Sequence, residues 1–331
     1  MTTPTPIRVL RRATLALLAT ASFSGAALAW PDKPVTMVVP WPAGGPSDFV
    51  ARQVQNDTAK ALGQTLIIEN VGGVGGAMGV QKMLLGKDGH TVLLGSPLEL
   101  VIPPLALASV KYKPTDLRMV AQLVKAPMVL LARKDLPANT VDELLALAAQ
   151  RPGGRPLAMG NTGSGSMFHL VGERFAQLAG TEFLQIPYKG STPAMTDLMG
   201  GQVDLMFTIF AGPVPGMVAD GKLKAIGLTM AQPLPAFPQL AALAAHPKLL
   251  GFEFDSWAGI QVPRGTPDDV ALKLNQALYG AMQNPATRAA FEKVGNQVVA
   301  PMSLADLERV YQGEIARYQA IAKSINLQPQ Q

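Results

Sequence analysis

The stretch Val35–Asp48, VTMVVPWPAGGPSD, constrains this chain more than any other. Val35, Met37, Val38 and Val39 form a short apolar run rich in β-branched residues, as in a strand covered on both faces. Pro40 and Pro42 have no N–H to give to a ladder and end it. Gly44 and Gly45 reach backbone shapes closed to other residues and let a ligand approach the main chain. Ser47 reads as a helix N-cap and Asp48 as a first-turn acid, with the helix ending at Gly63. A strand, a glycine loop and a helix start form a place where an anion can be held, because the first helical N–H groups have no partner inside the helix. The same pattern also describes an ordinary tight strand–helix turn.

The device recurs along the chain. Strand Thr65–Asn70 runs into the glycine-rich loop Val71–Gly79, which contains Gly75. Strand Thr91–Leu94 ends at Gly95-Ser96-Pro97. Leu157–Gly160 leads into Asn161-Thr162-Gly163-Ser164-Gly165-Ser166 and a helix from Met167 to Ala179. Strands that end in small-residue loops predict a parallel sheet whose carboxyl ends face a ligand crevice. The two strand–loop–helix openings predict an α/β protein of two similar halves facing each other across a cleft. Arg118–Val124 and Met128–Ala132 read as two strands separated by Lys125-Ala126-Pro127, and Phe252–Val262 as an extended return. Trp41 and Phe168 sit in loops aimed at the cleft, where an aromatic side chain serves as ligand wall or as simple packing.

Composition narrows the function classes. The 331 residues suit two domains, and 48% are hydrophobic, enough for real cores. Residues 1–29 read as a secretory signal: Arg8, Arg11 and Arg12 precede an apolar stretch, Ala13–Ala27, too short for a membrane span. Ala27-Leu28-Ala29 fits the small-x-small cleavage rule, so Trp30 is expected to lead the exported chain. Without those three arginines the 28 basic residues become 25 against 23 acidic ones, and the formal charge falls from +5 to +2. No Lys/Arg cluster remains to bind nucleic acid. There is no Cys, which excludes a disulfide framework, a thiol nucleophile and a lipidated cysteine.

Cofactor and catalytic motifs are equally scarce. In the two glycine-rich loops the last position of a dinucleotide fingerprint is Met78 or Phe168 instead of Gly. No metal-ligand spacing is present, and no cofactor is expected. The remaining catalytic reading is a local pair, Ser166 and His169, which would make the protein a secreted serine hydrolase. No third group that would orient such a pair is evident, and Glu173 lies one turn further on.

Taken together, PDKPVTMVVPWPAGGPSDFVAR, ALGQTLIIEN, GNTGSGSMFHLVGERFAQLAG and IPYKGSTPAMTDLMGGQVDLMF resemble the substrate-binding proteins of tripartite tricarboxylate transporters, the Bug family. The resemblance runs from Trp30 to the C-terminal helix, and the order of these blocks is far more specific than any one loop. It implies a type II periplasmic binding fold and a non-enzymatic monomer that captures a small carboxylate and hands it to membrane permease subunits. A binding protein that senses its ligand without transport is the other role open to such a chain. The implied lobes are residues 30–127 with 251–331, and residues 128–250. Carried over by the resemblance, the first-lobe ligand loop contains Trp41, Ala43, Gly44, Gly45, Ser47 and Asp48. Its second-lobe counterpart contains Asn161, Thr162, Gly163 and Ser166, with Phe168, Tyr188 and Asp204 nearby. The chain departs from the family at Gly72-Gly73-Val74-Gly75-Gly76, where Pro-Gly-Ala-Gly-Gly is usual, and at Trp41, where Phe is usual. The larger aromatics point to a less polar or aromatic acid.

Overall fold

The computed structural model describes residues 30–86, 89–150, 154–188, 190–234, 237–324, 327 and 329. The leader reading (1–29) and Lys189 lie outside the described residues.

The chain forms a mixed α/β structure around one long strand. β1 (Val35–Val39) pairs in parallel with β2 (Leu66–Asn70) and β3 (Thr91–Gly95). β3 pairs antiparallel with β9 (Asp255–Pro263), and β9 pairs antiparallel with β4 (Leu117–Arg133). Up to Pro127, which faces Asp255, β4 belongs to this first sheet section. From Met128 it pairs instead with β7 (Leu205–Ile209) and β8 (Leu223–Leu228). β7 continues in parallel to β5 (Ala158–Asn161), and β5 to β6 (Leu184–Pro187). A two-residue strand, β10 (Gln297–Val298), runs antiparallel to β4 at Lys125 and Val124.

Two sequence expectations are corrected here. The two strand candidates around Lys125-Ala126-Pro127 are one continuous strand. Proline is tolerated in it because Pro127 stands where one set of partners ends and the other begins, so no ladder bond is lost to its missing N–H. The sheet is also mixed, not wholly parallel: within each section three strands are parallel, and β4 and β9 are antiparallel to their neighbours.

Helices cover both faces of the sheet. α1 (Pro46–Leu62), α9 (Asp268–Met282) and α10 (Pro285–Lys293) pack against one face of the first section around Val35, Met37, Val39, Leu94 and Ile260. The opposite face carries α2 (Ala77–Leu85), two short helices, α3 (Pro97–Leu100) and α4 (Ile102–Ala106), and the long α11 (Leu304–Ser324). α5 (Val141–Ala149), α6 (Met167–Ala179), α7 (Ser191–Met199) and α8 (Val214–Ala219) surround the second section. The α11 core joins both sections: buried Leu307, Tyr311, Ile315 and Tyr318 share one apolar cluster with Ala106, Met167, Phe168 and Phe175. The helix stop read at Gly63 holds, with Gly63 in the left-handed conformation after α1, and Gly180 ends α6 in the same way.

Candidate functional site

The loop between β1 and α1 is held by its own acid. The helix begins two residues earlier than a Ser47 cap would set: Gly45 is the N-cap, Pro46 the first helical residue and Ser47 the second. Proline wins because its fixed φ suits that position and its absent N–H costs nothing there. Asp48, 3% exposed, accepts from the Gly44 N–H at 2.9 Å and from Arg52 Nε at 2.8 Å. The Arg52 hydrogen bond, aided by Gly44, holds the Asp48 carboxyl below the ordinary carboxylate range. The first backbone bond into the helix comes from Phe49, to the Gly45 carbonyl at 3.0 Å. The N–H groups of Ser47 and Asp48 therefore precede the helical ladder at the positive end of a 17-residue helix.

A residue that sequence reasoning passed over ties this loop to the next. Glu99 in α3 is 1% exposed. Its Oε2 accepts from Trp41 Nε1 at 3.1 Å and from Ser96 Oγ at 2.8 Å, and its Oε1 from the Ser96 N–H. The Tyr112 hydroxyl donates to the Glu99 carbonyl. Among the described residues no cation faces the carboxyl, and burial pushes it up to about 8. A Cβ on Gly76 would stand 2.6 Å from the Glu99 Cβ, so the loop after β2 closes over the same side chain. The signal in the sequence is the Ser96-x-x-Glu99 spacing, a capping box at the end of a strand.

These loops open onto a cleft of about 230 Å³. Gly44, Gly45, Ser47 and Ser96 line it. Val124 and Ala126 of β4 with Ser256, Trp257 and Ala258 of β9 also line it. Ile209, Ala211, Gly212 and Pro213, where β7 runs into α8, face it from the second sheet section, and Val294 and Asn296 complete it. The contribution of β4, β9 and the β7–α8 loop was not read from the sequence. Gly212-Pro213 after an apolar strand is the cue that could have found the latter.

The other expected residues do not line this cleft. Trp41 is spent on Glu99, and Ala43 is exposed at the loop tip. Gly75 sits against Pro103. Asn161 is buried, donates to Gln185 Oε1 at 3.1 Å and accepts from the Gly163 N–H at 3.0 Å. Thr162 is half-buried in the same loop. Phe168 is 5% exposed in the core shared with α11. Tyr188 donates to Asp197 Oδ2 at 2.7 Å, and burial, aided by that bond, pushes the phenol up to about 12. Asp204 accepts from Arg133 Nε and from the Ala158 N–H, each at 2.9 Å, and so locks β4 to β5.

The Ser166–His169 pair is not assembled as a nucleophile and base. Ser166 is the N-cap of α6, its Oγ accepting from the His169 backbone N–H at 3.3 Å. The His169 ring accepts from the Gly165 N–H through Nδ1 at 3.0 Å and turns Nε2 toward Glu173 at 3.6 Å. Burial lowers the His169 pKa, which favours the neutral ring that such an acceptor requires. Among the described residues no group of acids and histidines is placed to hold a metal ion, and no helix is long and apolar enough to cross a membrane.

Two α/β sheet sections on shared strands, with a cleft lined from both, define the class of two-lobed solute-binding proteins. Residues 50–327 match the tripartite tricarboxylate transporter family receptor, and the chain belongs to that family. Among solved structures it is similar to the periplasmic binding protein BugD, with 30% identity, a TM-score of 0.78 and coverage of 91% of this chain and 100% of that one. It is also similar to MatC from Rhodopseudomonas palustris with bound malate, at 30% identity, a TM-score of 0.77 and coverage of 88% and 99%. R. palustris Rpa4515 with adipate gives 30% identity, a TM-score of 0.81 and coverage of 91% and 100%.

Proposed function

We propose that this chain is exported, loses residues 1–29, and works in the periplasm as a monomeric binding protein. It captures a small carboxylate and presents it to the membrane subunits of a tripartite transporter, without catalysing a reaction. The observation that carries this reading is the cleft shared by both sheet sections, with the N-terminal end of α1 in its wall. The carboxylate is placed against the N–H groups of Gly45 and Ser47, with the Ser47 hydroxyl as a further donor. The malate and adipate of two relatives support a carboxylate as the ligand class. The lobes are assigned as residues 30–127 with 251–331, and 128–250, with hinges where β4 passes Pro127 and where β9 starts. Asn161, Thr162, Gly163 and Ser166 form the rim that meets the first lobe on closure. Titration calorimetry of the mature chain against small carboxylates and their amides tests the reading. Saturable binding of an acid and none of its amide is expected, and no binding by any acid in the panel overturns it.

A further inference from the structure

The cleft also speaks to the rest of the ligand. Among the described residues that line it, none is charged. The ionised groups nearby are paired with one another: Asp48 with Arg52, Lys125 with Asp255 at 3.6 Å, and Arg317 with Asp255 and Glu314, while Glu99 is engaged by Trp41 and Ser96. Beyond the donors at the start of α1, the walls are the apolar parts of Phe49, Leu98, Val124, Ile209, Pro213 and Trp257. Ser256 and Asn296 supply neutral polar groups. One carboxylate can keep its charge here because helix-start N–H groups and a hydroxyl replace its water. A second carboxylate further in would lose its hydration against these walls and meet no cation among the described lining residues, which is costly for any buried charge. A cavity of about 150 Å³ takes up a benzene molecule. The 230 Å³ found here therefore leaves room for a ring or a six-carbon chain together with one carboxylate.

We infer that this protein selects monocarboxylates with an apolar body over dicarboxylates of equal length. The inference rests on the carboxylate reading above and adds the nature of the ligand's other end. It separates this chain from the two relatives whose structures hold malate and adipate.

The matched pair hexanoate and adipate isolates the second charge, and 4-methylbenzoate and terephthalate do so on a ring. In calorimetry on the mature chain, each monocarboxylate is expected to bind at least tenfold tighter than its dicarboxylate partner. Adipate or terephthalate binding as tightly as its partner, or tighter, overturns the inference and leaves the carboxylate reading standing. Binding of neither acid, or equal binding of hexanoate and hexanamide, overturns both. A second arm places a cation in the wall: Ile209→Lys should lower the hexanoate-to-adipate affinity ratio by about tenfold, with circular dichroism showing that the variant is folded. An unchanged ratio in that folded variant shows that the second charge does not reach this wall and likewise counts against the inference.

Discussion

Trp41 Nε1 donates to Glu99 Oε2 across 3.1 Å, joining the loop after β1 to the helix after β3 through a carboxyl that is 1% exposed. Both partners are uncharged when the acid keeps its proton, and the acid sits at about 8. The hydrogen bonds from Ser96 and Trp41 favour the ionised form, but burial opposes it more strongly.

This acid makes stability depend on pH in a defined direction. Its pKa rises on folding from an ordinary 4.5 to about 8, so the folded state holds a proton that the unfolded chain gives up. The stability is complete below pH 4.5 and is lost as pH rises toward 8, by an amount on the order of 5 kcal/mol. Thermal unfolding of wild type between pH 5 and pH 9 should therefore show a falling Tm. Glu99→Gln, which cannot ionise, should flatten that fall while lowering Tm modestly at pH 5. Parallel slopes for the two proteins would place the pH dependence elsewhere.

Two glycines lie where the sheet sections approach one another. A Cβ on Gly165 would stand 2.9 Å from Ala106 Cβ, and one on Gly295 would stand 2.6 Å from the Phe210 carbonyl oxygen. Both also have positive φ, at +74° and +85°. Gly44, at +79° with nothing within 4 Å, is the control that carries the backbone cost alone. Gly165→Ala and Gly295→Ala should each lose about 1–3 kcal/mol. Gly44→Ala should lose about 1 kcal/mol. Denaturant unfolding of the three measures this, and equal losses would mean that the close approaches cost nothing.

The start of α1 gives a third expectation. Ser47→Ala should weaken binding of the best carboxylate by about 1–3 kcal/mol, as a charge-assisted bond is lost. Gly45→Pro removes a backbone donor and restrains Gly44, and should weaken binding more. Ser166→Ala removes the α6 cap and should cost about 1 kcal/mol of stability while leaving cleft affinity within a factor of three. Calorimetry and thermal unfolding on the three variants decide it. A Ser166→Ala protein that binds normally but has lost an esterase activity present in wild type would restore the hydrolase reading.

Much of the fold is legible in the chain because its signals are local. The apolar runs of β1 and β3 and the glycine stops of α1 and α6 each depend on a few neighbouring residues. The first-lobe loop is legible for the same reason, although Pro46 displaced Ser47 from the cap. What escaped depends on partners distant in sequence. That Lys125-Ala126-Pro127 lies inside a strand is decided by Asp255 on one side and Ile209 on the other. The cleft's Trp257 lies within β9, where no motif marks it, and Ile209 ends a strand marked only by Gly212-Pro213. The loop Asn161–Ser166 carries the expected glycines, but Asn161 and His169 take up the N–H groups of Gly163 and Gly165 that such a loop could offer to a ligand.

The path of β3, β9 and β4 also sets an order of assembly. β3 ends at Gly95, yet the strand that lies between it and β4 begins only at Asp255. Everything from β5 to β8 can pair within itself and with the end of β4 before then. A chain growing from its N-terminus can therefore complete its second sheet section first, with β1–β3 an open-edged fragment until residues 255–263 arrive. A chain halted before Asp255 leaves Leu93 and Leu94 on an unpaired edge, the kind of edge that recruits other strands.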